Sequence, residues 1–129
     1  MNRASLGVNQ IGEFSPRSFL AGDYPNSKTP VVLKSGRIYA IGSVLGKATA
    51  DGVCSLVDSA QSDGTESVYG VLAETVDATA GDAEGIAFLT GEFVQERLAF
   101  GGSDTFETHR DSARKAGIFF KPAALRPNQ

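Results

Sequence analysis

Residues Val68–Gly91, VYGVLAETVDATAGDAEGIAFLTG, decide how the rest of the chain is read. Two apolar runs, Val68–Ala73 and Ile86–Leu89, flank a stretch of Asp, Thr, Ala and Gly. Both runs are short and rich in β-formers, so each reads as a strand. Both are apolar at nearly every position, which is the pattern of strands covered on both faces. The pair therefore belongs at the centre of the fold. The 12 residues between them, Glu74–Gly85, hold one large apolar side chain, Val76. Too little apolar surface is available there to pack, and a surface loop is expected.

Working outward, the same punctuation recurs. Val31–Leu33 reads as a strand, Ser35-Gly36 as a turn and Arg37–Ile41 as the next run. Gly42 and Gly46 bracket Ser43–Leu45, and glycine inside a strand pattern marks the bends found at the corners of a small barrel. Asp51-Gly52 is a hairpin signal ahead of strand Val53–Val57. Asp58–Glu66 is a polar loop. One helix is predicted late in the chain. Asp104 is placed at its N-cap, with Glu107 three residues on completing a capping box. Phe106, His109, Ala113 and Ala116 follow a helical repeat and form a narrow apolar face. Gly117 ends the helix, and Ile118–Phe120 is a closing strand. The expected fold is mixed α/β: mostly short strands in a barrel-like body, one helix near the C-terminus, and an extended N-terminal arm.

The boundaries come from proline. All five prolines lie outside the stretch from Val31 to Lys121. Proline removes a ladder donor and blocks helix interiors, so it collects outside regular structure. This gives an arm over residues 1–30, a globular body over 31–121 and a tail over 122–129. The arm carries Ile11, Phe14, Phe19, Leu20 and Tyr24 among Ser, Gly, Pro and Arg. Disordered leaders are poor in aromatics. Spaced apolar anchors suit a segment that orders on a partner by strand addition or by filling pockets. The alternative is that Phe19–Tyr24 packs on its own body.

Charge and composition exclude several classes. Residues 1–47 carry six Lys/Arg against two Asp/Glu, residues 48–104 one against eleven, and residues 105–129 five against two. The segments are therefore +4, −10 and +3. Such asymmetry suits contact with neighbouring copies or another protein, or simply a solvated acidic surface. A nucleic-acid binder would show a basic body with interleaved aromatics. No apolar run approaches the roughly 20 residues that span a bilayer. The N-terminus lacks the apolar core of a signal peptide, so a product made in the cytoplasm is expected. Cys54 is the single cysteine and reads as a small core residue.

No catalytic or metal pattern rises above background. One His and one Cys far apart form no metal-ligand cluster. Asp77, Asp82 and Glu84 do not match calcium-loop spacing. Gly42–Gly46 followed by Lys47 lacks the spacing of a phosphate loop, and Ser103 lacks the glycine of a nucleophile elbow. His109, on the edge of the apolar stripe, is expected to be packed and hydrogen-bonded rather than a ligand.

Several pieces in order resemble one family. They are Gly12-Glu13-Phe14, Val44-Leu45-Gly46-Lys47, Asp63-Gly64, the stretch from Val71 to Asp82, and Ala116-Gly117-Ile118. Together, over roughly Gly12 to Lys121, they resemble the bacteriophage head decoration protein D family of lambda-like capsid stabilisers. Val71–Asp82 is the specific part. The leader and the tail are longer than the family pattern. The resemblance implies a non-enzymatic structural protein without cofactor or metal. It implies a homotrimer on the outside of an expanded head, clamping the major capsid protein against packaged DNA. It also implies an arm that orders on the capsid, which makes Ile11, Phe14, Arg17, Phe19, Leu20 and Tyr24 the candidate capsid-binding residues. A surface module for host glycans is the competing class. It would need exposed Trp or Tyr platforms, and the chain has no Trp and three Tyr.

Overall fold

Alternation sets the first strand. Val31 and Leu33 are buried, whereas Lys28, Pro30 and Val32 are exposed. The computed structural model describes residues 26–123. Its strands are β1 (Lys28–Leu33), β2 (Ile38–Tyr39), β3 (Val44–Lys47), β4 (Cys54–Leu56), β5 (Gly70–Leu72), β6 (Val76–Asp77), β7 (Ala83–Phe88), β8 (Gly91–Val94) and β9 (Ile118–Lys121). A 3-10 turn spans Gln95–Arg97, and α1 spans Phe106–Ala116.

Five strands close into a barrel in the order β1-β4-β3-β5-β7. β1 and β7 run antiparallel from Lys28↔Phe88 to Leu33↔Ala83. β1 meets β4 in parallel at Leu33↔Cys54. The pairs β2–β6 and β8–β9 form two small sheets beside the barrel. β1 begins at Lys28, so Pro30 lies within a strand. Ser27 C=O accepts from Leu89 N–H, and Lys34 N–H donates to Cys54 C=O. Backbone groups alternate sides along an antiparallel strand. Odd-numbered residues therefore bond toward β7, and the missing N–H of Pro30 falls on the opposite edge, where proline is tolerated.

The barrel wall separates two cores. Val44, Val71 and Phe88 join Phe93, Ala113, Ile118 and Phe120 in one cluster. Their sequence neighbours Leu45, Leu72 and Ala87 join Val31, Leu33, Tyr39 and Cys54 in the other. Adjacent residues of one strand point to opposite faces. β3, β5 and the end of β7 are thus buried on both sides, which is why they read as continuous apolar runs. One core fills the barrel. The other lies between its wall and the layer made by α1, β8 and β9.

Residues Glu74–Gly85 are more than a surface loop. Val76 and Ala78 are buried while Asp77 and Thr79 are exposed, a strand-like alternation that pairs β6 with β2. Residues 79–82 form an exposed tip. The glycine at position 46 permits a close crossing, because a Cβ there would collide with the backbone of Thr65.

The helix starts one residue later than the cap expected at Asp104. The N-cap is Thr105, in a reciprocal capping box with Thr108, whose Oγ1 accepts the Thr105 N–H at 3.2 Å. Asp104 is engaged elsewhere, as described below. Glu107 is exposed in the first turn, where its charge complements the helix N-terminus. Gly117 ends α1 in the left-handed region at φ 89°, as expected.

Phe93 is fully buried and packs on Phe88 with ring centroids 5.7 Å apart. Phe93→Ala should cost about 3–5 kcal/mol in denaturant unfolding. Ile38, 52% exposed, is the contrast. Ile38→Ser should change stability by less than about 0.5 kcal/mol. Similar losses for both would contradict the assignment of the second core.

Candidate functional site

His109 sits one turn into α1, on the face turned to the core, and is 2% exposed. Its ring stacks on Phe100 with centroids 5.8 Å apart and planes within 4°. Its Nε2 lies 2.7 Å from Asp104 Oδ2. The same carboxylate accepts the Ser59 N–H at 2.6 Å and the Ser59 hydroxyl at 2.8 Å. Asp104 is held below the usual carboxylate range, chiefly by the Ser59 N–H and then by His109, with burial acting the other way.

Serine, aspartate and histidine are therefore gathered, but in the wrong order for nucleophilic catalysis. A hydrolytic relay places the imidazole between carboxylate and hydroxyl, so that it can take the hydroxyl proton. Here the carboxylate lies between the other two. The arrangement is a clamp that ties the loop after β4 to the start of α1.

Cys54 carries no chemistry at neutral pH. It is 1% exposed, and burial pushes its thiol up to about 11 against the opposing charge of Lys47. The protonated thiol is a poor nucleophile and a poor ligand. The acidic residues singled out from sequence are spread apart in role. Asp77 accepts the N–H and hydroxyl of Thr79 at 3.0 and 2.7 Å. Asp82 Oδ1 accepts the Ser35 N–H at 2.8 Å. Glu84 is exposed on β7. Among the described residues, no group of three His, Cys, Asp or Glu is placed to hold a metal ion. A cleft of about 210 Å³ opens between β1 and the β3–β4 hairpin, lined by Pro30, Val32, Lys47, Tyr69 and Glu84 among others. Small-molecule sites usually reach about 300 Å³ or more, so this one is undersized.

The two ends of the described chain are fastened to either end of β8. At the N-terminal side, Ser27 N–H donates to Thr90 Oγ1 at 3.1 Å, and the two hydroxyl oxygens lie 3.4 Å apart. At the C-terminal side, Ala123 N–H donates to Glu96 Oε1 at 3.0 Å. That bond is the main reason Glu96 is held below the usual carboxylate range. The six residues predicted to bind a partner, Ile11, Phe14, Arg17, Phe19, Leu20 and Tyr24, lie outside the described residues. Ser27, Thr90, Ser59 and Glu96 were not singled out from sequence. Ser27 and Thr90 are 63 positions apart and Ser59 and Asp104 are 45 apart, and no local pattern announces such pairs.

The family model described as bacteriophage lambda head decoration protein D matches residues 11–117, which runs from the N-terminal segment through α1. No curated protein matches the chain. Among the described residues, no helix is long and apolar enough to cross a membrane.

Two outcomes follow for solution work. A thiol reagent at pH 8 should leave the folded chain unlabelled and should titrate one cysteine in denaturant. Rapid labelling of the native chain would contradict the burial of Cys54. The second outcome concerns acid. Asp104 has a lower pKa folded than its ordinary value of 3.8. Its contribution to stability is thus fully present above that value and is lost as pH falls through the folded pKa. Asp104→Asn should lower the melting temperature at pH 7 and flatten its decline below about pH 4. An unchanged acid limb would show that other carboxylates carry it.

Proposed function

The chain belongs to the bacteriophage lambda head decoration protein D family, and we propose that this phage head decoration protein binds as a trimer to the outer surface of the expanded head. There it stabilises the shell against the outward pressure of packaged DNA. The family match over residues 11–117 is the observation that carries this reading. The partner is the major capsid protein, and the action needs no cofactor and no catalysis.

The mechanism is mechanical. One trimer presents three N-terminal arms, each the segment from Met1 to about Tyr24, ahead of β1, whose start the sequence boundary at Pro30 includes in the arm. Each arm adds backbone hydrogen bonds to an exposed strand edge of the capsid protein, the mode known as strand addition. Ile11, Phe14, Phe19, Leu20 and Tyr24 act as anchors, and a fully buried Phe contributes about 1.5–3 kcal/mol. Arg17 adds a charged contact. Three joined arms multiply weak contacts, because the second and third bind at high effective concentration. An unexpanded shell does not present three edges at the required spacing, so decoration follows expansion. The +4, −10 and +3 charge segments support head-to-tail contact between copies, since a threefold interface brings unlike patches together.

Deleting residues 1–18 should leave the melting temperature nearly unchanged and abolish decoration of expanded empty shells. Phe14→Ala should weaken decoration without unfolding the body. Native mass measurement should give three copies of the 13.5 kDa chain on the shell. A truncated chain that decorates as tightly as the full chain would move the contact to the body or to the tail around Arg126.

A further inference from the structure

We propose that Thr90 is a positioning residue that fixes the point, at Asn26, from which residues 1–25 leave the body. The inference rests on the arm reading above and assigns the contact that holds the root of the arm.

Ser27 is the residue immediately before β1. Its C=O accepts the Leu89 N–H at 2.7 Å, which extends the β1–β7 ladder one step past Lys28↔Phe88. Its N–H donates to the side chain of Thr90, and its hydroxyl lies beside the same oxygen. A backbone group at the end of a ladder is thus held by a side chain 63 positions away. Thr90 is itself held in place. The next residue, Gly91, lies at φ +148°, where a Cβ would stand 3.0 Å from the Phe93 ring and 3.4 Å from Asn26. Gly91 N–H also donates to Gly117 C=O at 3.1 Å. The turn that carries Thr90 is therefore pinned from both sides.

The consequence follows from peptide geometry. The N–H of Ser27 lies in one plane with the C=O and Cα of Asn26. Fixing that N–H fixes the plane and with it the position of Asn26 Cα, the point from which the chain continues; only the φ and ψ of Asn26 are left to steer it there. A fixed starting point raises the effective concentration of each arm at its own strand edge and reduces the ordering cost of binding. Without the Thr90 oxygen, the Asn26–Ser27 peptide can rotate and this starting point is no longer held.

The test uses the full-length chain and expanded empty shells. Thr90→Val keeps the side-chain shape and loses the oxygen, whereas Thr90→Ser keeps the oxygen. Thr90→Val should weaken decoration about five- to tenfold, the cost of ordering roughly one residue that the bond holds ready beforehand. It should leave the core amides as protected as before and speed exchange of the Ser27 amide. Thr90→Ser should restore both the affinity and the protection at Ser27. Wild-type affinity for Thr90→Val, with decoration still abolished by deletion of residues 1–18, overturns the role of Thr90 and leaves the arm reading standing. A deletion that binds as tightly as the full chain overturns the arm reading and this inference with it. A loss in Thr90→Val that Thr90→Ser does not repair also overturns it, because the oxygen is then irrelevant.

Discussion

The ladder between β1 and β7 is the constraint on which the rest of the structure depends. It pairs the start of the described chain with a strand more than fifty positions later. With the parallel contact Leu33↔Cys54, it closes the barrel. Closure leaves the wall strands with no free edge over the paired residues, and it encloses Leu33, Leu45, Cys54 and Leu72 away from water. The second core can exist only because this wall is rigid enough to present Val44, Val71 and Phe88 to the layer above. α1 and the β8–β9 pair rest on the barrel's outer face, whereas Tyr39 of β2 and Val76 of β6 join the core inside it.

Polar burial is kept to a few groups, and each has a partner that suits it. The Asp104 carboxylate accepts three donors, so the cost of placing a charge near the core is met by hydrogen bonds to the charged form. His109 is enclosed by Phe100 on one side and by this carboxylate on the other. The result is a body whose buried polar groups are spent on holding loops together. That is consistent with a protein whose family role is structural.

The parts of the fold that were legible in the sequence are those where burial was local and two-sided. β5 and β7 announced themselves because neighbouring residues serve different cores. The Asp51-Gly52 turn was legible because Asp51 Oδ1 accepts the Val53 N–H within the turn itself. β8 was not. Gly91–Val94 is short, and its partner β9 is parallel and 27 positions away in register, so neither a turn nor an alternation marks it. The choice of Thr105 over Asp104 as helix cap was equally hidden. Both residue types cap well, and only Ser59, brought in from across the fold, decides that Asp104 is occupied. The buried histidine was foreseen from the helical stripe, but its carboxylate partner was not. The fastening of Ser27 by Thr90 depends wholly on the β1–β7 register, which a single sequence does not disclose.

The register at Ser27 has a consequence for how load would travel. Tension applied to the chain ahead of Asn26 enters the body at Ser27, the residue before β1. The hydrogen bonds between β1 and β7 lie across that line. A pull along the strand therefore strains all the rungs together, in shear, instead of opening them one after another from a frayed end. The six paired residues act as a single joint. Because β7 is in turn bonded to β5, and β5 to β3, the force spreads around the circumference of the barrel instead of concentrating at the point of attachment.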